Sequence, residues 1–272
     1  MIKSFVQKTL RRAGLYHRLK RSALYDLYWS MANRRLIDDR KTEVEFFRSL
    51  VGASSPELLI FDIGANQGQK VDIFLRLGAR VIAVEPDSTN QAILRDSFLR
   101  RRLKPLPVTI VGKAVGSSVG QVEMWVDEPG SAKNTLSAKW VDTLRTDSTR
   151  FGKNLAFQNK TIVETTTVDE LIKQYGSPQF IKIDVEGYEP EVLSGLHQKV
   201  PAISFEVNLP EFVAEGRKCI ELLHQLNPTG AFNYATDFGA GFVLPQWLER
   251  GAFLPHFDGC KETSIEIFWR SR

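Results

Sequence analysis

The chain has few of the residues that build disulfide scaffolds and metal centres. Only two of its 272 residues are cysteine and four are histidine. Cys219 and Cys260 are too few for a disulfide framework and form no CxxC pair, so we expect a protein of the reducing cytoplasm. The histidines show no metal-ligand spacing. No run of about 18 consecutive apolar residues occurs, which excludes a membrane-spanning helix at the level of sequence.

The positive charge of the chain is concentrated in its first 40 residues. These hold ten Lys or Arg residues against three Asp, a net charge of +7, whereas the whole chain carries +4. The remainder is therefore net acidic, and the basicity belongs to an arm rather than to the core. Apolar residues at three- and four-residue steps predict that this arm, assigned to residues 1–52, is helical. Residues 53–272 are assigned to one further domain.

Two roles for the arm remain open. In one, it packs an apolar helical stripe on the core and leaves its basic residues in solvent. In the other, it makes peripheral contact with an anionic membrane at the cytoplasmic face. The basic residues that would make this contact are Lys8, Arg11, Arg12, Arg18, Lys20 and Arg21. Nucleic acid is not an expected partner, because no RNA-binding motif is present and the core is net acidic.

From residue 58 onward, short apolar runs alternate with stretches of helical pattern. This alternation is typical of a mostly parallel, doubly wound α/β sheet covered by helices on both faces. The predicted strands are 58–63, 80–84, 108–111, 121–126, 180–183 and 202–207. The predicted helices are 69–77, 89–99, 168–175, 190–196 and 212–226. After residue 228, three short strands at 232–235, 241–244 and 263–269 predict a C-terminal β-hairpin.

The most informative segment is the turn that follows the first predicted strand. Gly64 lets the chain turn sharply and approach a ligand, and Gly68 lies where the next helix must pack closely on the sheet. Glu85 ends the second predicted strand, 23 residues after Asp62. An acidic residue at this spacing is placed to bind both hydroxyls of a ribose. The segment therefore predicts a nucleotide-type cofactor site.

Three classes of ligand compete for this turn. A P-loop is excluded because GxxxxGK[ST] is absent. A dinucleotide site prefers GxGxxG, but the middle position here is Asn66. Asp62 would repel a pyrophosphate, whereas it suits the ammonium and sulfonium charges of S-adenosylmethionine, which is our predicted cofactor. The residues predicted to contact it are Asp62, Gly64, Ala65, Asn66, Gly68, Glu85, Pro86 and Ala114.

A second dense motif spans residues 180–193 and brings Asp184 and Glu186 to the carboxyl end of a strand, where open α/β sheets bind ligands. With this motif in place, the sequence resembles the FkbM family of S-adenosylmethionine-dependent methyltransferases. The resemblance covers about residues 58–207. It rests on FDIGANQG at 61–68, AVEPD at 83–87, NTLS at 134–137 and, most specifically, IKIDVEGYEPEVLSGL at 181–196. The resemblance implies a Rossmann-like methyltransferase fold and O-methylation of a saccharide, glycolipid or natural product.

Methyl transfer to a hydroxyl requires alignment of the reactants and removal of the hydroxyl proton. Asp184 is the first candidate for a base or a hydroxyl-orienting acceptor, and Glu206 and Asn208, at the end of the next strand, are adjacent candidates. These three residues have the oxygens to bind Mg²⁺, but we do not favour a metal, because such clusters near strand ends are common by chance. The expected partner is a small-molecule or glycan acceptor with a free hydroxyl. The alternatives are a nicotinamide-dependent dehydrogenase on a related fold and a nucleic-acid-binding or nucleic-acid-modifying protein that uses the basic arm.

Overall fold

The computed structural model describes residues 34–52, 57–100, 106–147, 157 and 159–271, with side chains from residue 39 onward. The basic residues from Lys8 to Arg21 that define the membrane hypothesis lie outside this part of the chain. None of the helices in the described ranges is both long enough and apolar enough to cross a bilayer.

The centre of the fold is a sheet of eight strands. Strands form where apolar, β-branched residues run uninterrupted, because a parallel sheet buries both faces of each strand. The main-sheet strands are β1 (Leu59–Ile63), β2 (Arg80–Val84), β3 (Val108–Val111), β7 (Phe180–Ile183), β8 (Ala202–Asn208), β9 (Ala231–Ala235), β10 (Leu248–Glu249) and β11 (Ser264–Arg270). Three more, β4 (Ala114–Val115), β5 (Gly120–Val126) and β6 (Asn159–Thr166), form a second sheet.

The order of strands in the main sheet is β10-β9-β11-β8-β7-β1-β2-β3. The five strands from β3 to β8 in this order are parallel, and β11 is antiparallel to both β8 and β9. The predicted doubly wound, mostly parallel sheet is confirmed. The carboxyl ends of β1, β2, β7 and β8 therefore lie side by side at one edge.

Helices cover both faces of this sheet. They are α1 (Arg34–Val51), α2 (Gln69–Arg76), α3 (Ser88–Phe98), α4 (Ala138–Thr146), α5 (Val168–Tyr175), α6 (Glu189–Leu193), α7 (Val213–Leu226) and α8 (Arg250–Asp258). Two apolar clusters follow from this arrangement. One packs α4 to α8 on one face, and the other packs α1, α2 and α3 on the opposite face.

Helix α1, the described part of the arm, contributes directly to the second cluster. Phe47 is fully buried, and its ring contacts those of Phe74 and Phe180 at centroid distances of 5.2 and 5.7 Å. Phe46 packs against Phe268 of β11 at 5.3 Å. Such aromatic pairs add stabilisation beyond area burial. The end of the arm therefore packs on the sheet, as in the first of its two proposed roles.

The C-terminal part differs from its predicted detail. Residues 241–244 are not a strand, and their place next to β9 is taken partly by β10, while Asn233 holds the backbone of Leu244 through two hydrogen bonds. The antiparallel pair is formed by β9 and β11, which are separated in sequence by α8. Helix α8 was missed because Pro255 lies inside it, and proline argues against a helix interior. Helix α4 and strands β4, β6 and β10 were also absent from the sequence prediction.

Candidate functional site

The turn after β1 packs directly on both neighbouring strands. Gly64 has φ of 84°, and its N–H and that of Ala65 both donate to the carbonyl of Val84, at 3.0 Å each. A Cβ at Gly64 would lie 1.7 Å from the carbonyl oxygen of Asp184. No other residue fits this position, because both the positive φ and the close approach require the missing side chain. The turn thus places its backbone between the ends of β2 and β7.

Gly68, the second glycine of the motif, has a packing role. Its φ is 81°, and an added Cβ would lie 2.6 Å from the side chains of Leu94 and Phe98 on α3. The sequence predicted close packing of the following helix on the sheet, whereas the nearest contacts of Gly68 are with α3. Gly68 lines neither of the two clefts described below, so the structure does not bring it beside the other residues predicted to contact the cofactor.

Glu85 is buried at the end of β2 and organises the turn. Its carboxylate accepts hydrogen bonds from the backbone N–H of Asn66 at 2.7 Å and of Asp87 at 2.8 Å. The first bond holds Asn66 in its left-handed conformation, with φ of 46°. Burial raises the pKa of Glu85 to about 7 despite these two hydrogen bonds. The side chain of Asn90 is a third hydrogen-bond partner, so the carboxylate keeps only part of its acceptor capacity for a ligand hydroxyl.

Asp87 ties a neighbouring loop to the same strand end. It caps α3 by accepting from the N–H groups of Thr89 and Asn90. Its second oxygen accepts from the N–H of Gly130 at 3.0 Å and from the amide of Asn134 at 2.8 Å. The 134–137 motif therefore lies beside the turn, and Ser137 caps helix α4.

Two adjoining clefts open at this edge of the sheet. The first has an empty volume of about 670 Å³ and is lined by both strand ends and the loop, including Glu85, Pro86, Ala114 and Thr135. The second, of about 710 Å³, is lined by Asp62, Ala65, Lys70 and Lys182 among others. Gly64, Asn66, Ala132 and Asp184 line both clefts.

Asp62, on β1, is a buried carboxyl group with an unmet hydrogen-bonding capacity. Its Oδ2 atom and the Oδ1 atom of Asn66 have no hydrogen-bond partner among the described residues. Burial raises the pKa of Asp62 to about 7, although the charge of Lys182 opposes the rise. Two unpartnered acceptors beside a glycine turn fit a ligand that brings hydrogen-bond donors and positive charge.

Lys182 is the centre of an ionic cluster on one face of the sheet. Its side chain is 1% exposed, and its Nζ atom donates to Asp184 Oδ2 at 2.8 Å. Burial alone would lower the pKa of Lys182, but Asp184, Glu266 and Asp62 surround it and raise the pKa above its ordinary value. For Asp184, burial raises the pKa, but the charge and hydrogen bond of Lys182 outweigh it and hold the pKa below its usual range. Asp184 is thus an ionised, paired carboxylate.

The other two catalytic candidates lie on β8. Glu206 accepts from the hydroxyl of Ser264, and its carboxyl group also hydrogen-bonds Asp184. Burial, followed by the charge of Asp184, raises the pKa of Glu206 to about 7. Asn208 lines a smaller cavity of about 240 Å³ together with Glu206 and Phe212. The structure therefore brings Asp184 and Glu206 together and places Asn208 outside the two main clefts.

The described residues contain no group of three or more His, Cys, Asp or Glu side chains arranged to hold a metal ion. In this cluster, the cation beside Asp184 is the ammonium group of Lys182. Lys182 was not predicted as a site residue. The sequence indicates its role by placing a lysine in the otherwise apolar strand FIKI, because burying a lysine is unfavourable unless its charge is paired.

Comparisons with known proteins give a family match and a similar fold. The model of the methyltransferase FkbM domain matches residues 62–234. A solved structure of a methyltransferase FkbM from Methylobacillus flagellatus KT is 16% identical, with a TM-score of 0.50, and the match covers 82% of this chain but 46% of that one. This chain thus spans about half the length of that protein. No curated protein matches the sequence.

Two further solved structures are more distant. A precorrin-6y C5,15-methyltransferase from Geobacter metallireducens GS-15 is 11% identical over 86% of this chain and 88% of that chain, with a TM-score of 0.42. The plantazolicin methyltransferase BpumL, solved with SAH, is 11% identical over the whole of both chains, also with a TM-score of 0.42. The Methylobacillus flagellatus structure, with its TM-score of 0.50, shows a Rossmann-like methyltransferase fold, and the family match is the stronger finding because it covers well over half of the chain. On that match, this chain belongs to the FkbM methyltransferase family.

Proposed function

We propose that the protein is an S-adenosylmethionine-dependent O-methyltransferase whose acceptor is a hydroxyl of a saccharide, glycolipid or natural product. The observation that carries the proposal is the pair of buried carboxyl groups, Asp62 and Glu85, on either side of the Gly64 turn. When bound, S-adenosylmethionine supplies a methyl group on a positively charged sulfur. The side chains of this protein bind the cofactor and orient the acceptor.

The cofactor-binding roles follow from the chemistry of each group. Glu85 is positioned to accept hydrogen bonds from ribose hydroxyls through its remaining lone pairs. Asp62 and Asn66 offer unpartnered acceptors to an ammonium group. The apolar side chains of Val84, Met124 and Leu136 line the first cleft and suit the faces of an adenine ring.

A nicotinamide dinucleotide fits this site less well. Its pyrophosphate would lie beside the turn, where Asp62 and Asp184 both place negative charge. A middle glycine, which lets a pyrophosphate approach the helix N-terminus, is replaced by Asn66. The ionic character of the second cleft thus favours a cationic cofactor.

The Asp62 side of the second cleft is thus proposed to take the charged end of the cofactor, and the rest of that cleft to take the acceptor. Its lining is polar and hydrogen-bonding, with Gln67, Gln69 and Lys70 opposite Asp184. Asp184 is fixed by Lys182, so it serves to accept a hydrogen bond from a hydroxyl and orient it. A polar cleft of this composition supports a hydroxyl-rich acceptor such as a saccharide.

Two measurements test the identity of the cofactor and the identity of the acceptor separately. Titration calorimetry with S-adenosylmethionine and with NAD is expected to show binding of the first and not of the second. Isotopic methyl transfer to a panel of sugars, glycolipids and polyols then reports O-methylation. Binding of NAD alone would overturn the cofactor assignment, whereas transfer only to amines or thiols would overturn the O-methylation.

A further inference from the structure

A strained turn between β7 and α6, residues 185–187, is held on several sides by the rest of the fold. Glu189, which is buried, accepts from the backbone N–H groups of Val185 at 3.1 Å and Gly187 at 3.2 Å. Thr135 donates its hydroxyl to the carbonyl of Glu186 at 2.8 Å. The backbone polar groups of this turn are therefore satisfied by fixed partners, which keeps the turn in one conformation.

Glu186 occupies an unfavourable backbone conformation in this turn. Its φ is 55°, in the left-handed region that side chains other than those of Asn and Asp rarely enter. Such a conformation costs on the order of 1–3 kcal/mol and persists where the surroundings impose it. The effect of the unusual φ is to present the Glu186 side chain at the wall of the first cleft, together with Gly64 and Asp184.

The Glu186 side chain differs from the neighbouring carboxylates in its contacts. Asp184 is paired with Lys182, Glu206 with Ser264, and Glu189 with two backbone amides. The carboxylate of Glu186 makes no hydrogen bond to any residue in the described part of the chain, and the residue is partly exposed where it lines the first cleft. A carboxylate that is accessible, unpaired and rigidly placed in a cofactor cleft has a ligand as its natural partner.

We infer that the Glu186 carboxylate lies at the point of methyl transfer and accepts the proton of the acceptor's hydroxyl. This inference rests on the proposed O-methylation. As the acceptor oxygen forms its bond to the methyl carbon, its proton passes to a Glu186 oxygen. The carbon–sulfur bond breaks, and its electron pair stays on sulfur. One methyl group and one proton are transferred, and no further reactant is needed.

The electrostatic surroundings of Glu186 agree with this role. Burial raises its pKa well above the ordinary value, and the charges of Asp184, Glu206 and Glu189 add to the rise, while Lys182 opposes it. Asp184, by contrast, has a lowered pKa because of Lys182. A carboxylate of raised pKa is the stronger proton acceptor, so Glu186 suits general base catalysis better than Asp184.

The first experiment needs no acceptor. The affinities of S-adenosylmethionine and S-adenosylhomocysteine, which differ in the charge on sulfur, are measured by calorimetry for the wild type and for Glu186→Gln. At a pH above the raised pKa of Glu186, where the wild-type side chain is ionised, loss of its negative charge is expected to weaken binding of S-adenosylmethionine about tenfold and to leave binding of S-adenosylhomocysteine unchanged. An unchanged ratio of the two affinities would overturn the inference.

A matched control lies five residues further along the chain. Glu191→Gln makes the same chemical change on α6, where Glu191 pairs with Lys218 at 3.3 Å and lies outside both clefts. It is expected to leave both affinities unchanged. Glu186→Gly tests a merely structural role, because glycine adopts φ of 55° freely and is expected to keep or raise the melting temperature. A glycine variant that unfolds at lower temperature would contradict the inference.

The second experiment measures transfer from labelled cofactor to the panel of hydroxyl compounds. In Glu186→Gln, kcat is expected to fall by roughly 10²–10⁴-fold, and the rise of kcat/KM with pH that is predicted for the wild type is expected to disappear. Near-normal turnover in this variant would overturn the role as proton acceptor. If the wild type labels no hydroxyl compound, O-methylation itself is wrong, and the ratio of cofactor affinities still decides whether Glu186 lies at the transfer point.

Discussion

The carboxyl ends of β2 and β7 each present an acidic side chain to the same cleft, but the two side chains are stabilised in different ways. Glu85 is held by two backbone N–H groups and has a pKa of about 7, whereas Asp184 is held by a lysine and has a lowered pKa. Neutral dipoles satisfy hydrogen bonds without supplying a full charge. The comparison indicates that the β7 end contains its own counter-ion, while the β2 end becomes more favourable when a ligand supplies donors.

The largest effect is expected from removing the counter-ion at the β7 end. Lys182→Met leaves Asp62 and Asp184 without the cation between them, and breaking a buried ion pair costs about 3–5 kcal/mol of unfolding free energy. Denaturant unfolding measures this loss. The loss is expected to shrink at low pH, where the carboxyl groups of the variant protonate.

The control for this change is an exposed ion pair of the same type. Lys160 lies 2.8 Å from Glu123 in the second sheet, and both side chains are accessible. Lys160→Met is expected to change the free energy of unfolding by less than about 1 kcal/mol. Equal effects of the two substitutions would show that the β7 cluster contributes no more than a surface pair.

At the β2 end, the expected loss is in the affinity for the cofactor. Glu85→Ala removes the hydrogen bonds proposed for the ribose and also releases the backbone of Asn66. At about 1.5–3 kcal/mol for a hydrogen bond to a charged group, the affinity for S-adenosylmethionine is expected to fall roughly tenfold to a hundredfold in titration calorimetry. Glu164→Ala, in the exposed part of β6, is the control. Unchanged binding by a folded Glu85 variant would remove this residue from the cofactor site.

The pH dependence of cofactor affinity sharpens the same comparison. The folded protein binds more protons than the unfolded chain between the ordinary pKa of Asp62 and about 7, so this group's contribution to stability falls as the pH rises through that range. A cationic ligand favours the ionised form. Affinity for S-adenosylmethionine is therefore expected to rise by up to about tenfold from pH 6 to pH 8. Asp62→Asn should flatten this dependence, and a variant that keeps the full slope would exclude Asp62 as its source.

A last comparison concerns the basic arm and its proposed contact with an anionic membrane. Co-sedimentation with vesicles of anionic or neutral lipid compares the full chain with a variant in which Lys8, Arg11, Arg12, Arg18, Lys20 and Arg21 are replaced by Gln. Each basic residue contributes on the order of 1 kcal/mol near an anionic surface, and the attraction weakens with salt. Binding of only the full chain to anionic vesicles at low salt supports the contact. Equal sedimentation of both proteins contradicts it.

The sequence was most informative where one physical requirement restricts the residue type. The sharp turn at Gly64 was predictable because glycine adopts a positive φ freely, and the mostly parallel sheet was predictable because short apolar runs alternate with helical stretches. Lys182 was harder to predict, because two of the three carboxyl groups around it, Asp62 on β1 and Glu266 on β11, are far away in sequence. Glu186 stood in a recognised motif, but its backbone angle and its lack of a partner appear only in three dimensions.

The position of β11 imposes an order on the folding of the chain. This strand lies between β8 and β9, and it joins β9 and β10 to the rest of the main sheet. During synthesis, β9 emerges about 30 residues before the strand that connects it to β8. Because contacts distant in sequence form slowly, β9 and β10 wait with an unpaired edge until β11 is made. A product that stops before Ser264 would therefore expose two open sheet edges, at β8 and at β9, and become a target for aggregation or proteolysis.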